Sequence, residues 1–253
     1  MLTATTLDGR RLLPNIESTR PVAIAALMNQ LLAGLPRRDR RRVIANSERV
    51  ELTLGDTLCD AGARIRHVIF PIDSILSLLT PIAGHANLEV ALVGTEGMFG
   101  SAIALGVDVS PLHALVQGSG TALRWSSAAF RKQLTDCPAL RRRLHRYIYV
   151  AAEQSAQSSA CIRFHRLEAR LARWLLMTHD RAHSNQFHVT HEFLAQMLGV
   201  RRVGVTNAAG TLQKRKIVTY SRGNITVLNR ARLERSSCEC YAAAKRAYQR
   251  ILG

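Results

Sequence analysis

Four histidines lie within thirteen residues of the C-terminal third of the chain and are the first candidates for metal chemistry: His179, His183, His188 and His191. The first two have the four-residue spacing that places two imidazoles on one face of a helix, as a metal pair requires. Asn185 and Gln186, however, interrupt the element between the two pairs. We therefore expect surface histidines, in a polar turn or near a bound nucleic acid, and no metal site.

The five cysteines could support disulfide, metal or redox chemistry: Cys59, Cys137, Cys161, Cys238 and Cys240. Their odd number and irregular spacing argue against a disulfide framework and predict free thiols in a reducing cytoplasm. Cys238-Glu239-Cys240 is one short pair without a second pair, so we expect no structural zinc site. Iron–sulfur clusters usually need about four clustered thiolates. The sequence thus predicts neither a metal nor a cofactor.

Enzymatic motifs are missing from the sequence. Serines and aspartates accompany the histidines, but there is no nucleophile elbow and no phosphate-binding loop. Gly94-Thr95-Glu96-Gly97 is typical of a turn, since a nucleotide fingerprint needs glycines that lead into a helix. We expect a protein that is not an enzyme.

Charge is the strongest global feature of the 253 residues, with a net charge of +17. Residues 163–253 contain 17 basic and 5 acidic residues and carry +12 of that excess. Such a region is typical of a polyanion-binding module, because each phosphate that is neutralised releases counterions. Aromatic residues make up 5% of the chain, and no apolar stretch reaches the roughly 18 residues of a membrane span. These features favour double-stranded nucleic acid over a membrane as the partner.

The elements that position these residues begin with a tail at 1–20, expected to be flexible, and a strand-rich region at 21–136. Within it, a helix is predicted from Val22 to Leu35, followed by the basic run 37–42, which we interpret as a solvated helical face. Short strands with frequent glycine turns follow. One of them is 88–93, where Leu88, Val90 and Leu92 alternate with their neighbours as in a half-buried strand. This pattern predicts a small β-roll.

A long helix is predicted next, within 137–162, because residues 138–160 contain no glycine and no internal proline and show helical spacing. That spacing runs through Leu140, Leu144, Tyr147, Ala151, Ser155 and Ser158. The second half of the helix is small and polar, so we expect it to pack closely on a second copy of itself and form a homodimer. The alternative is a linker helix that lies on its own domain.

The third region, 163–230, contains a helix-turn-helix pattern. Thr190 stands at an N-cap position, Ala195 is small where two helices cross, and Gly199 supplies the turn. The inward positions are apolar: Leu194, Leu198, Val200, Val205, Ala208 and Leu212. A hairpin or wing around Arg222 and Gly223 follows, and we expect a helical tail at 231–253.

In its order of roll, long helix and winged helix-turn-helix, the sequence resembles the Crp/Fnr transcription regulators over residues 22–230. The most specific stretch is 190–227. The resemblance implies an α+β fold with a cyclic-nucleotide-binding-like roll and a homodimer that binds a near-palindromic operator with RNA polymerase as a further partner. By position, Arg202, Val203 and Asn207 match base-contacting residues of the recognition helix, while Thr190 and Arg201 match residues that contact the DNA backbone. Arg222 on the wing is expected to meet phosphate as well.

The sequence departs from the cyclic-AMP-binding members of that family in its ligand cassette. Those members have a Gly-Glu pair for the ribose and an Arg-Ser pair for the cyclic phosphate. Here Gly100 matches, but Ser101 replaces the glutamate and Ser110 stands where the arginine belongs. Without the forked cation, we expect no physiological binding of cyclic AMP. The cysteines that bind an iron–sulfur cluster in the oxygen-sensing branch of the family are missing too. The alternative function is a small-ligand sensor module that acts through a protein partner with little DNA binding.

Overall fold

A computed structural model describes residues 29–84, 87–182 and 184–253. The predicted tail and the start of the predicted Val22 helix lie outside these residues. The first described helices are α1, Gln30–Ala33, and α2, Arg37–Ala45. The basic run lies on α2, where Arg37, Arg38, Arg41 and Arg42 are exposed, so the prediction of a solvated helical face is confirmed.

The β-roll consists of two antiparallel sheets. The three-stranded sheet has the order β1-β7-β3, and the four-stranded sheet has the order β2-β6-β4-β5. The strands are β1 Glu48–Leu52, β2 Thr57–Cys59, β3 His67–Pro71, β4 Ile75–Thr80, β5 Leu88–Val93, β6 His113–Gly118 and β7 Gly120–Ser126. A 3-10 helix, Ser101–Leu105, and helix α3, Ser127–Asp136, complete the roll. Buried Phe70, Trp125 and Phe130 pack their rings together at its centre, with centroids 5.2–6.0 Å apart.

Helix α4, Pro138–Phe164, is the predicted long helix, and it ends four residues after the predicted helical stretch 138–160. The stripe that begins at Leu140 and Leu144 faces the chain's own roll: both leucines are fully buried, and the Tyr147 hydroxyl bonds to the backbone of Met98. A different stripe, rotated by about one residue, is exposed: His145, Tyr149, Ala152, Ala156, Ser159 and Arg163.

The C-terminal tail forms two helices, α8, Arg230–Ser236, and α9, Cys240–Leu252. Helix α9 packs along α4, where Gln154 donates to the Ala244 carbonyl and Nη2 of Arg250 donates to both carboxylate oxygens of Glu153. The tail is therefore helical, as predicted. It also covers one side of the small-residue half of α4.

The winged helix-turn-helix consists of α5 Leu167–Ala182, α6 His191–Leu198, α7 Arg202–Lys214 and a three-stranded sheet of order β8-β10-β9. The strands are β8 Gln186–His188, β9 Val218–Ser221 and β10 Asn224–Val227. The predicted inward residues Leu194, Leu198, Val205, Ala208 and Leu212 are buried, and Val200 is partly buried against them. The fold class and the order of elements predicted from the sequence are confirmed.

The helix-turn-helix packs against the roll. Ile75, Leu79 and Leu92 of the roll belong to the same apolar cluster as Trp174 of α5 and Met197 of α6. Strand β5 is consequently covered on both faces, and Leu92 and Val93 are both buried. The half-buried alternation expected for this strand is wrong, because Leu92 packs with Met197 of α6 in one apolar cluster while Val93 belongs to the core of the roll. No helix in the described part of the chain is long and apolar enough to cross a membrane.

Candidate nucleic-acid interface

The turn between α6 and α7 is set by local sequence. The Thr190 hydroxyl accepts a hydrogen bond from the Phe193 amide and caps α6, as predicted. Gly199 ends α6 with φ of +63°, a conformation that L residues rarely adopt, and so reverses the chain into α7. Thr190 is exposed, and its hydroxyl hydrogen is free of that cap bond and available to a phosphate oxygen.

Helix α7 buries one face and exposes the other. Its inward face carries Val205, Ala208, Ala209 and Leu212, all buried. On the outward face, Arg201, Arg202, Val203 and Asn207 are exposed, and the Val203 side chain has 63% of its surface exposed. Val203 and Asn207 are one turn apart, and Arg202 lies beside them at the start of the helix. The structure therefore brings the residues predicted to read bases onto one accessible surface.

The wing places Arg222 at the tip of a tight hairpin. Arg222 and Gly223 form a two-residue loop between β9 and β10, and both have positive φ, +49° and +82°. Two positive φ values in such a loop are typical of a type I′ turn, which favours asparagine or glycine at its first position. An arginine there is conformationally costly, but it projects an exposed cation beyond the end of the sheet.

His191 supports α7 from the side. Its ring stacks on Tyr220 with centroids 4.2 Å apart, and its Nδ1 lies 3.1 Å from the Thr206 hydroxyl. Burial, and secondarily the charge of Arg202, lower the pKa of His191. The imidazole is therefore neutral at pH 7, and it braces the recognition helix against the wing without adding charge.

The remaining histidines of the cluster have separate partners. His179 lies between Asn185 and Arg230, and His188 contacts Asn224. His183 lies outside the described residues. The three described histidines of the cluster, 179, 188 and 191, thus each have partners of their own.

The three residues expected at the ligand cassette, Gly100, Ser101 and Ser110, line one cavity of about 660 Å³ between the roll, α4 and α5. The Ser110 hydroxyl is buried and engaged with the backbone of Leu112. Gly100 has φ of +86°, and a Cβ there would lie 2.9 Å from Val68, so a side chain is excluded. Arg170, Arg173 and Arg181 of α5 also line the cavity.

Two polar contacts join the helix-turn-helix to the roll, and the sequence reasoning missed both. The Glu89 carboxylate of β5 accepts hydrogen bonds from the Trp174 indole and the Ser77 hydroxyl, each of 2.7 Å. Arg181 of α5 forms a largely buried ion pair of 2.6 Å with Glu96. Burial raises the pKa of Glu89 to about 7, despite the opposing hydrogen bonds. Period-two alternation placed Glu89 on an open face, so no local signal could have revealed this contact.

The structure also brings together thiols that the sequence reading treated as separate. Cys161, Cys238 and Cys240 are buried side by side with His165, whereas Cys59 and Cys137 lie elsewhere. A hydrogen bond from Cys238, supported by His165 and Arg173, holds the pKa of the Cys161 thiol well below its usual range. The signal was Cys161-x-x-x-His165 combined with Cys238-x-Cys240, a pairing that a search for thiols alone overlooks.

Comparisons with known proteins agree with this geometry. Residues 169–236 match the model of the Crp-like helix-turn-helix domain. No curated protein sequence matches the chain.

Solved structures share the fold. FixK2 from Bradyrhizobium japonicum superposes with a TM-score of 0.62 at 12% identity, over 76% of this chain and 98% of its own. TTHB099, a CRP-family transcriptional regulator from Thermus thermophilus, gives 0.61 at 19% identity, over 75% and 96%. The c-di-GMP-responsive global regulator CLP from Xanthomonas campestris gives 0.60 at 12% identity, over 76% and 99%. These likenesses show the fold, and the domain match shows that residues 169–236 form a Crp-like helix-turn-helix.

Proposed function

We propose that this chain, which carries a Crp-like helix-turn-helix domain at residues 169–236, is a sequence-specific DNA-binding transcription regulator of the Crp/Fnr type and not an enzyme. The single observation that carries the proposal is the exposed outward face of α7, with Arg202, Val203 and Asn207 side by side on it. We further propose that it acts in the cytoplasm with RNA polymerase as a partner.

Base reading is assigned to the first turns of α7. The Arg202 guanidinium has the forked donor geometry that matches O6 and N7 of guanine, and the Asn207 amide matches N6 and N7 of adenine. In the free protein Arg202 lies 4.0 Å from Glu192, a contact between two highly exposed side chains that a guanine can replace. Val203 offers no hydrogen bond and would contact a thymine methyl at most, so its base pair is less strictly specified.

Phosphate contacts are assigned to three residues around the recognition helix. Thr190 caps α6, Arg201 occupies the N-cap position of α7 without a side-chain capping bond, and Arg222 stands at the wing tip, so they flank α7 from both sides. They position α7 in the major groove without selecting sequence.

The homodimer is supported by the exposed stripe of α4. Its members are spaced four, three, four, three and four residues apart, as in a helix that pairs with another helix, and Ala152 and Ala156 allow close backbone approach. Tyr149 in the same stripe is 58% exposed. Two copies joined along this stripe would present two recognition helices to a near-palindromic operator. The side chain of Ala151 instead lines the cavity, so Ala152 and Ala156 mark the seam.

The effector site of this proposal is the cavity between the roll, α4 and α5. Its size suits a small-molecule ligand, and one structural relative is described as responsive to c-di-GMP. The lining is of mixed charge, because Glu89, Glu96 and Asp180 line the cavity together with the three arginines. The same cavity is the observation that favours the second candidate function, a ligand sensor that acts through a protein partner. A ligand here would touch the roll and α5 at once, so it could change how the helix-turn-helix sits on the roll.

Genome-wide mapping of bound DNA sites distinguishes the two candidates. A regulator of this kind yields discrete sites that share a near-palindromic motif upstream of transcription units. Binding without a shared motif, in a protein that still folds and dimerises, would instead support the sensor that acts through a partner.

A further inference from the structure

Four potential metal ligands from two distant parts of the chain meet where α4 ends. Cys161 lies in the last turn of α4, and His165 follows it as the C-cap. Cys238 and Cys240 flank the start of α9, more than 70 residues later. The three cysteines are buried, with 0%, 6% and 0% of their surfaces exposed.

The spacing of the ligand atoms suits one ion. The three sulfurs and one imidazole nitrogen all lie within 4.8 Å of one another. Cys161 Sγ is 3.5 Å from Cys238 Sγ, and Cys240 Sγ is 3.5 Å from His165 Nδ1. Zinc bonds of 2.3 Å to sulfur and 2.0–2.1 Å to nitrogen in a tetrahedron require ligand separations of roughly 3.5–3.8 Å. Small side-chain adjustments would complete that tetrahedron.

The groups around these ligands are those that support a zinc site. His165 turns Nδ1 towards the sulfurs and Nε2 towards Glu239 Oε1, 3.0 Å away, which is the carboxylate–histidine arrangement that orients a ligating imidazole. The Gln157 amide donates to Cys240 Sγ. Arg173 donates a hydrogen bond to the Ser158 hydroxyl and lies close to Cys161. Its positive charge balances the one negative charge that remains when three thiolates bind one divalent ion.

We propose that Cys161, His165, Cys238 and Cys240 bind one Zn²⁺ ion in a closed, four-coordinate structural site. Such a site fixes the start of α9 to the end of α4, at the junction where α4 gives way to α5 and the helix-turn-helix begins. Because no ligand position is left for water or substrate, the ion has a structural role and not a catalytic one.

Metal analysis of the full-length protein, purified under reducing conditions without added chelator, tests this site. The expected result is one zinc per chain in the wild type, and a loss of most of that zinc in Cys238→Ser and in Cys240→Ser. Cys137→Ser is the matched control, because Cys137 is also fully buried and lies at the other end of α4. It should retain one zinc per chain.

Cobalt substitution of the wild-type protein keeps the test decisive if the serine variants fail to fold. Replacing the native metal with Co²⁺ should produce thiolate-to-cobalt charge-transfer bands and the intense visible bands of a tetrahedral ion, at one equivalent per chain. A wild-type protein that contains no zinc and gives no thiolate bands with Co²⁺ would overturn the proposal. So would stoichiometric iron at these residues, or a Cys161–Cys238 disulfide in protein prepared under reducing conditions.

Discussion

Glu89 provides the sharpest test of how the helix-turn-helix is held on the roll. Its carboxylate lies between Ser77 and Trp174 in a partly buried position, and burial raises its pKa to about 7 from the ordinary value of 4.5. Between these two pH values, Glu89 therefore still holds its proton in the folded protein, whereas in the unfolded chain it has already released it. Stability from this group is fully present below pH 4.5, falls as the pH rises, and is lost above about pH 7.

Glu89→Gln removes the ionisation and keeps the shape of the side chain and one acceptor oxygen for the Trp174 indole, while its amide nitrogen can donate to the Ser77 hydroxyl. A pKa raised by this amount lowers the unfolding free energy of the wild type by at most about 3 kcal/mol between pH 4.5 and pH 8.5. The variant should therefore be close to the wild type in stability at pH 4.5 and more stable than it at pH 8.5. For a protein of this length, the difference corresponds to a gain in Tm of roughly 6–12 °C at the higher pH.

Thermal unfolding of both proteins across pH 4.5–8.5 measures this difference, with Glu51→Gln, an exposed glutamate of β1, as the control. The control should follow the wild type at every pH. If the Glu89→Gln and wild-type curves run parallel, Glu89 is not buried between the roll and Trp174 and the docked arrangement is incorrect.

Three further predictions address the dimer, the wing and the effector. Ala156→Glu places two like charges in the α4 seam and should convert dimers into monomers in sedimentation experiments, whereas a dimer that persists would move the interface elsewhere. Arg222→Asn relieves the positive φ and should raise unfolding stability by about 0.5–1 kcal/mol while weakening binding to all DNA; a loss of stability would contradict the strain assigned to the wing. Calorimetry should show no cyclic AMP binding at micromolar concentration, because the missing charge-assisted contacts cost about 2–4 kcal/mol, and micromolar affinity would refute this.

Local patterns were sufficient to predict most of the fold. Thr190, Gly199 and the apolar spacing of α6 and α7 act within a few residues of each other, so the helix-turn-helix follows from the sequence. Strand β5 likewise lies at 88–93, where the sequence predicts a strand, although the burial of its two faces does not follow from the local pattern. Which face of α4 is buried did not follow, because two adjacent stripes have the same period and the roll decides between them.

The sites that sequence reasoning missed depend on contacts between distant segments. Glu89 meets Trp174 across 85 positions, and Cys161 meets Cys238 across 77. Contacts between residues so far apart in the sequence produce no local pattern from which they could be predicted. The spacing of the cysteines alone does not indicate a cluster, because its fourth member is the imidazole of His165.

The central claim, that α7 reads DNA sequence, is tested most directly by titrating Arg202→Ala and Arg222→Ala on two duplexes at two salt concentrations. One duplex is a site selected from a random library, and the other is its scrambled version. Arg202→Ala should lose about 5- to 150-fold in affinity on the selected site and little on the scrambled one, while Arg222→Ala weakens both and lowers the salt slope by about one. An equal loss for Arg202→Ala on both duplexes would contradict the account, because Arg202 would then be another phosphate contact.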